Sequence, residues 1–303
     1  MADLEKYRRF SEMETKMPLF SKGWWMDTVC LNEWDVILIE ENGKIIASLP
    51  FYKQIQNGQL TIQKAPLTQT NGIWIYYPPN QKYEKRLSYE KKIMNEVIDE
   101  IEKLNIKKYQ QYFHYSITNW LPFYWRGFSQ TTRYTYVIEN NLDLDEIYKN
   151  FNSNVRKLIR KAKKKVVVKE NLDIFQFYTL NQMTYERQNL KTPYTLDIVL
   201  RIHKECLERN AGKILYCIDQ QNNIHSAAYF VWDDESVYYL MSGSDPAFRS
   251  SQSLTLLLYE GIKLANNMGK KFDFEGSMKE NIEHHFRQFG AKQIPYHNIY
   301  KTF

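Results

Sequence analysis

Residues 236–276, SVYYLMSGSDPAFRSSQSLTLLLYEGIKLANNMGKKFDFEG, decide the fold. The opening SVYYLMSGS is β-rich and closes on Asp245-Pro246, which reads as a strand running into a turn. Leu254, Leu257, Leu258, Gly261 and Ile262 then recur at helical spacing. Gly269 stands where a helix end favours a left-handed residue. KKFDFEG supplies a second, short strand.

KILYCIDQQNNIHSAAYFVW (213–232) precedes this unit as two apolar runs around a polar turn. It predicts strands at 213–219 and 223–232. Much earlier, WDVILIEENGKIIASLPFYK (34–53) has the same form, and its Asn-Gly is the strongest two-residue hairpin signal. It predicts strands at 34–41 and 44–54, followed by strands at 58–65 and 72–77. A helix over 82–104 follows, with Ile93, Val97, Ile101 and Leu104 on one face. KKYQQYFHY (107–115) then matches KKFDFEG in place. FYWRGFSQTTRYTYVI (123–138) matches HHFRQFGAKQIPYHNIY (284–300): each has an aromatic, an Arg, a Phe and a Gly before a β-rich run. Repetition of a whole element order indicates an internal repeat.

The 303-residue length agrees with two domains. The boundary is expected near Asn140, giving domains 1–140 and 141–303. The second opens with helices at 143–150, 152–165, 173–189 and 195–210, the last two parted by Pro193. Hydrophobic residues at 43% and charged residues at 25% are the balance of a globular protein, and 46 aromatics are too many for one site, so most are core. No apolar run has the length of a signal peptide or a membrane span, so a soluble, cytoplasmic protein is expected. Cys30, Cys206 and Cys217 form no CxxC and read as reduced, buried thiols. His284 and His285 belong to no metal-ligand pattern, and no metal is expected.

Net charge is +6, and RKLIRKAKKK (156–165) carries seven basic residues in ten. Val155, Leu158, Ile159 and Ala162 form an apolar stripe there. The segment therefore reads first as an amphipathic helix with a solvated basic face, and second as a surface for a polyanion such as tRNA.

Hairpin, strand, helix, strand, helix, strand resembles the plan of the GNAT N-acyltransferases. The phrases FNSNVRKLIRKAKK (151–164), FDFEGSMKENIEHHFRQFGAKQIPYHNIYK (272–301), SKGWWMD (21–27) and IIASLPFYK (45–53) resemble FemAB-like tandem-GNAT proteins. The resemblance implies an α/β (α+β) fold of two tandem GNAT-like domains, each a mixed, mostly antiparallel sheet flanked by helices. It implies either of two activities. One is transfer of an acyl group from acyl-CoA to the amine of a nucleotide-linked amino sugar, for a surface polysaccharide. The other is transfer of an amino acid from aminoacyl-tRNA to a peptidoglycan precursor. A non-catalytic GNAT-like binding module is a third reading.

On this resemblance the donor pyrophosphate meets the helix start at DPAFRSSQSL (245–254). The family's signature there is Q/R-x-x-G-x-G/A. Arg249 fits its first position, whereas Gln252 and Leu254 replace the glycines. Helix-start amides attract phosphate, and Ser250, Ser251 and Ser253 add donors; the alternative for Ser251 is a plain N-cap. The first half has no such cluster at PPNQKYEKRLSYE (78–90). The thioester is expected between splayed strands, with Tyr239, Met241 and Ser242 on one side and Phe272 through Ser277 on the other. Asp273 and Glu275 alternate with Phe272 and Phe274, which places both on one strand face. Either is a candidate general base, because the attacking amine must be neutral. The alternative is a structural carboxylate at the Gly276-Ser277 turn. Tyr239 is the candidate acid for the leaving thiolate, with Tyr238 and Tyr296 behind it, and His284 and His285 are lesser candidates. For the acceptor, Lys22 and Trp24 resemble the family's Lys-x-aromatic element that contacts a nucleotide. Gln69, Asn71, Thr184, Arg187 and Tyr194 are further candidates; the alternative for Trp24 and Trp25 is core packing.

Overall fold

The structure is a computed structural model that describes residues 2–303. The chain forms two compact units, one reaching Arg133 and including Pro295–Phe303, the other Tyr134–Ile294. The change of unit thus falls inside a strand and not at Asn140, and the C-terminal residues return to the first unit.

The first unit begins with helices α1 (Ala2–Met13) and α2 (Gly23–Cys30). The hairpin β1 (Trp34–Glu41) and β2 (Lys44–Gln56) turns at Asn42 and Gly43, both at positive φ, as the Asn-Gly pair predicts. β3 (Gln59–Gln63) continues the meander, β4 (Trp74–Ile75) pairs with β2, and α3 (Tyr83–Lys103) covers the sheet. β5 (Lys108–Tyr112) joins β3 in parallel. α4 (Leu121–Trp125) and β6 (Ser129–Ile138) follow, β6 reaching into the second unit. Ile93, Val97, Ile98 and Ile101 of α3 lie in the core with Leu49, Phe51 and Ile62.

The second unit adds α5 (Leu144–Asn150), α6 (Ser153–Lys163), β7 (Val167–Glu170), α7 (Ile174–Glu186) and α8 (Leu196–Glu208). Next come β8 (Gly212–Ile218), β9 (Ile224–Trp232) and β10 (Ser236–Ser244), an antiparallel run with β7 at its edge. A 3-10 turn (Pro246–Ser251) leads to α9 (Ser253–Asn267), then β11 (Lys271–Asp273), α10 (Glu280–Arg287) and β12 (Lys292–Thr302). Within this unit β11 lies parallel to β10 and antiparallel to β6. In the first unit, Asn298–Thr302 of β12 pairs with β5. Leu256, Leu257, Leu258 and Ile262 of α9 pack on Phe230, Val237 and Phe272. Gly269 ends α9 with φ +66°, and a side chain at Gly261 would collide with the Phe230 ring.

Both units are therefore mixed α/β, with mostly antiparallel sheets flanked by helices. No helix of the described residues is long and apolar enough to cross a membrane. The three cysteines are free and buried.

Candidate active site

β10 and β11 pair only at Ser236–Lys271, Val237–Phe272 and Tyr238–Asp273. β10 then runs on to Ser244 without β11 beside it, so the two strands part after Tyr238. The register of β10 on β9 slips between Tyr239 and Met241, which makes Leu240 a bulge residue at the mouth of the opening. A bulge breaks the regular ladder and re-aims local backbone groups.

The opening ends at the start of α9. Asp245 caps the 3-10 turn through Ala247 N (2.8 Å), and Gln252 then adopts φ +62°, ψ 26°. Left-handed backbone is unfavourable for a residue with a Cβ, so it persists only where the surroundings enforce it. Gln252 thus keeps the conformation a glycine would supply at that point. A cavity of about 400 Å³ opens here, and its lining includes Thr184, Arg187, Arg249, Ser250, Ser253 and His285. Neither Arg187 nor Arg249 makes an ion pair among the described residues. Burial, and then the charge of Arg249, lower the pKa of Arg187. Two unneutralised guanidinium groups at a helix start favour a phosphate-bearing ligand.

The serines divide. Ser250 lines the cavity. Ser251 is buried, and its hydroxyl accepts from Ser253 N at 3.3 Å, which makes it a local cap. Ser253 touches the cavity, but its hydroxyl also accepts from Ser226 at 2.8 Å.

α7 lies against β10 so closely that a Cβ on Gly243 would fall 2.2 Å from the Leu180 carbonyl carbon. Asn181 Nδ2 donates to Ser242 O (2.7 Å), and Ser244 N donates to Thr184 Oγ1 (3.1 Å). Tyr194 OH donates to Asn181 Oδ1 (3.0 Å) and so orients that amide. Burial raises the Tyr194 pKa and keeps the hydroxyl protonated. Tyr194 therefore supports α7, and its hydroxyl is engaged within the fold. Ser242 O is occupied as well, while Met241 is buried.

The acidic strand also differs from a simple alternation. β11 ends at Asp273, and Glu275 (φ +58°) and Gly276 (φ +62°) turn the chain away. Asp273 is wholly buried. Its Oδ1 accepts from Thr135 Oγ1 and from Glu275 N (2.7 Å), whereas Oδ2 has no hydrogen-bond partner. Burial pushes its pKa up to about 6, against the pull of Thr135 and the Glu275 N–H. Asp273 thus pins the turn from below, and Glu275 sits half-buried above it. Gly276 is required, since a Cβ there would lie 2.0 Å from Tyr134 O.

Tyr239 pairs its hydroxyl with Ser242 Oγ, and burial raises its pKa to about 12, so it holds its proton at neutral pH. Ser277 accepts from Lys279 N (3.0 Å) at the start of α10. His284 is exposed and bonded to Arg287 and Gln288, whereas His285 faces the cavity. Burial, and then His284, lower the His285 pKa and leave its imidazole neutral.

In the first unit the expected acceptor residues lie inside the fold. Lys22 is buried, and its ammonium donates to Glu14 O (3.2 Å). Trp24 is buried edge-on to Trp25, the core-packing arrangement, and offers no open stacking face. Gln69 is buried; Asn71 donates to Met26 Sδ (3.6 Å) and accepts from Gln111 (3.3 Å). A groove of about 930 Å³ elsewhere in that unit is lined in part by Phe10, Ile46, Trp74 and Tyr76, and the aromatic run IWIYY (73–77) is its trace in the sequence.

Residues 149–280, which contain the splayed strands and the cavity, match the family model described as Acetyltransferase (GNAT) domain. That stretch is similar to a GNAT acetyltransferase domain. Solved structures extend the likeness in fold. FemX has 13% identity and a TM-score of 0.71 over 97% of this chain and 95% of its own. L-PGS from Bacillus licheniformis has 9% identity and a TM-score of 0.56 over 98% and 91%. A tandem GNAT protein from the clavulanic acid biosynthesis pathway, solved without AcCoA, has 8% identity and a TM-score of 0.51 over 94% and 96%. No curated protein matches the sequence. No cluster of three or more His, Cys, Asp or Glu side chains in the described residues is arranged to hold a metal.

Proposed function

We propose that the GNAT domain transfers an acyl group from acyl-CoA to the amine of a nucleotide-linked amino sugar, in the assembly of a surface polysaccharide. The observation that carries the donor is the Arg187–Arg249 cavity at the left-handed turn before α9. The arginines and the first amides of α9 hold the pyrophosphate, and the thioester lies over the opening between β10 and β11. Ser242 O and Ser244 N are already bonded to α7, so the thioester end is held nearer Tyr239 and the Leu240 bulge. The acceptor rests on the family resemblance, which supplies the amino sugar.

In the reaction the neutral amine attacks the thioester carbonyl. A backbone amide re-aimed by the bulge polarises the carbonyl oxygen, the C–N bond forms, and the C–S bond breaks. Glu275 takes the ammonium proton before attack, Tyr239 gives its proton to the departing thiolate, and the tyrosinate recovers a proton from the nitrogen as the amide forms. Asp273 holds the Glu275 turn in place.

A second reading, an aminoacyl-tRNA donor, is favoured by α6. Its Arg156, Lys157, Arg160, Lys161 and Lys163 make no ion pair among the described residues, and its apolar stripe of Val155, Ile159 and Ala162 is buried. Isothermal calorimetry with acetyl-CoA and with total tRNA separates the two. Binding of acetyl-CoA supports the first reading; salt-sensitive binding of tRNA without acetyl-CoA binding replaces it with the second.

A further inference from the structure

The turn that shapes the anion cavity has little stability of its own. It is six residues of 3-10 helix followed by a left-handed glutamine. Short helices are marginal without tertiary contacts, and αL is strained for a residue with a Cβ. Arg249 and Ser250 are exposed on this turn, so neither supplies the anchor.

The anchor lies beneath. Phe248, immediately before Arg249, stacks on the imidazole of His225 with ring centroids 4.3 Å apart and planes 5° from parallel. His225 is buried on β9, and its carbonyl accepts from Asp245 N (3.0 Å), so the same residue grips both the entry and the middle of the turn. Its Nε2 faces Asp219 Oδ2 at 3.1 Å. Its Nδ1 is buried with no hydrogen-bond partner. A buried N–H without an acceptor is costly, so the proton belongs on Nε2, which donates to Asp219.

Asp219 is itself fixed. It accepts from Gln221 N (2.9 Å), Asn223 N (2.9 Å) and Asn223 Nδ2 (3.0 Å) in the β8–β9 turn. These bonds, led by the Asn223 side chain, hold its pKa down to about 2. The carboxylate therefore sets the plane of the imidazole, and the imidazole sets the plane of Phe248.

We propose that His225 is a positioning residue for the donor: oriented by Asp219, it holds Phe248 so that Arg249 and the left-handed Gln252 face the cavity. The inference rests on the donor reading above but concerns the anion loop alone. His225 does not line the cavity and takes no part in bond making.

The test compares His225→Ala, Phe248→Ala and His225→Phe in the full chain, with calorimetry against coenzyme A and against inorganic pyrophosphate. Steady-state kinetics and amide hydrogen exchange over 246–253 complete the set. His225→Ala and Phe248→Ala are expected to weaken both ligands about tenfold and raise the donor KM equally. They should leave kcat unchanged, lower the melting temperature by a few degrees, and speed exchange over 246–253 more than elsewhere in the chain. His225→Phe keeps a planar ring on Phe248 and is expected to restore most of the affinity. Wild-type affinity and exchange in His225→Ala overturn the proposal, as does a His225→Phe variant no better than His225→Ala. If wild type binds pyrophosphate but not coenzyme A, the donor reading fails and the positioning role is still decided by the pyrophosphate and exchange data. If wild type binds neither, both fail.

Discussion

The start of α3 in the first unit and the start of α9 in the second occupy the same place in the element order, and they are built differently. α3 begins after Lys82 in ordinary extended backbone, with Glu84 in its first turn to complement the helix dipole. α9 begins after a left-handed Gln252, has no acid in its first turn, and faces two arginines without ion-pair partners. The strands that follow differ in the same way. Gln111 of β5 is buried but neutral, donating to Pro50 O (2.8 Å) and to Asn71. Asp273 of β11 is buried as a carboxylate with one oxygen unpartnered. One helix start answers its own dipole, and the other leaves positive charge for a ligand. A shared plan therefore fixes where a site can form, and the two helix starts differ in how much positive charge is left uncompensated.

That contrast can be broken at several points. Gly276→Ala forces a Cβ to within 2.0 Å of Tyr134 O at φ +62°. It is expected to cost about 3 kcal/mol in chemical denaturation and to remove most activity, because the Glu275 turn must shift. Arg187→Ala with Arg249→Ala is expected to raise the acyl-CoA KM about a hundredfold with a small change in kcat, whereas Lys82→Ala at the start of α3 leaves KM unchanged.

Asp273 supplies a pH signature. Its pKa is 3.8 in the ordinary state and about 6 in the fold. A carboxyl whose folded pKa is raised binds its proton more tightly when folded. It adds nothing to the pH dependence below about pH 4, where both states are protonated, and it costs stability as pH rises from about 4 to 6. By linkage this penalty is about 3 kcal/mol at neutral pH. Stability is therefore expected to rise as pH falls from about 6 to 4, and Asp273→Asn to flatten that rise in urea titrations. The smallest effect is expected from Tyr194→Phe, which removes the bond that orients Asn181: about 1 kcal/mol of stability and a few-fold change in donor KM.

Much of the fold was legible because it is written in local signals. The Asn42-Gly43 turn, the α9 stripe and the Gly269 cap each follow from residue type at fixed spacing. The site was less legible because its decisive features are tertiary. Gln252 carries a left-handed backbone without the glycine that would announce it. Asp273 and Glu275 look like alternating strand residues, but β11 stops at Asp273, so they stack as pin and turn. Thr184 and Arg187, expected at the acceptor, line the same cavity as Arg249 because α7 packs on Gly243. Lys22 and Trp24 carry polar atoms suited to a nucleotide, yet burial turns them inward. The return of Pro295–Phe303 to the first unit depends on pairing with β5, which no local pattern encodes.

A phosphate-bearing acyl donor is proposed to bind at the start of α9. Calorimetric titration of acetyl-CoA into wild type and into Arg187→Ala/Arg249→Ala tests it most directly. The expected result is one saturable site in wild type, weakened about a hundredfold in the double variant and competed by pyrophosphate. Equal binding by both proteins, or none by wild type, would contradict it.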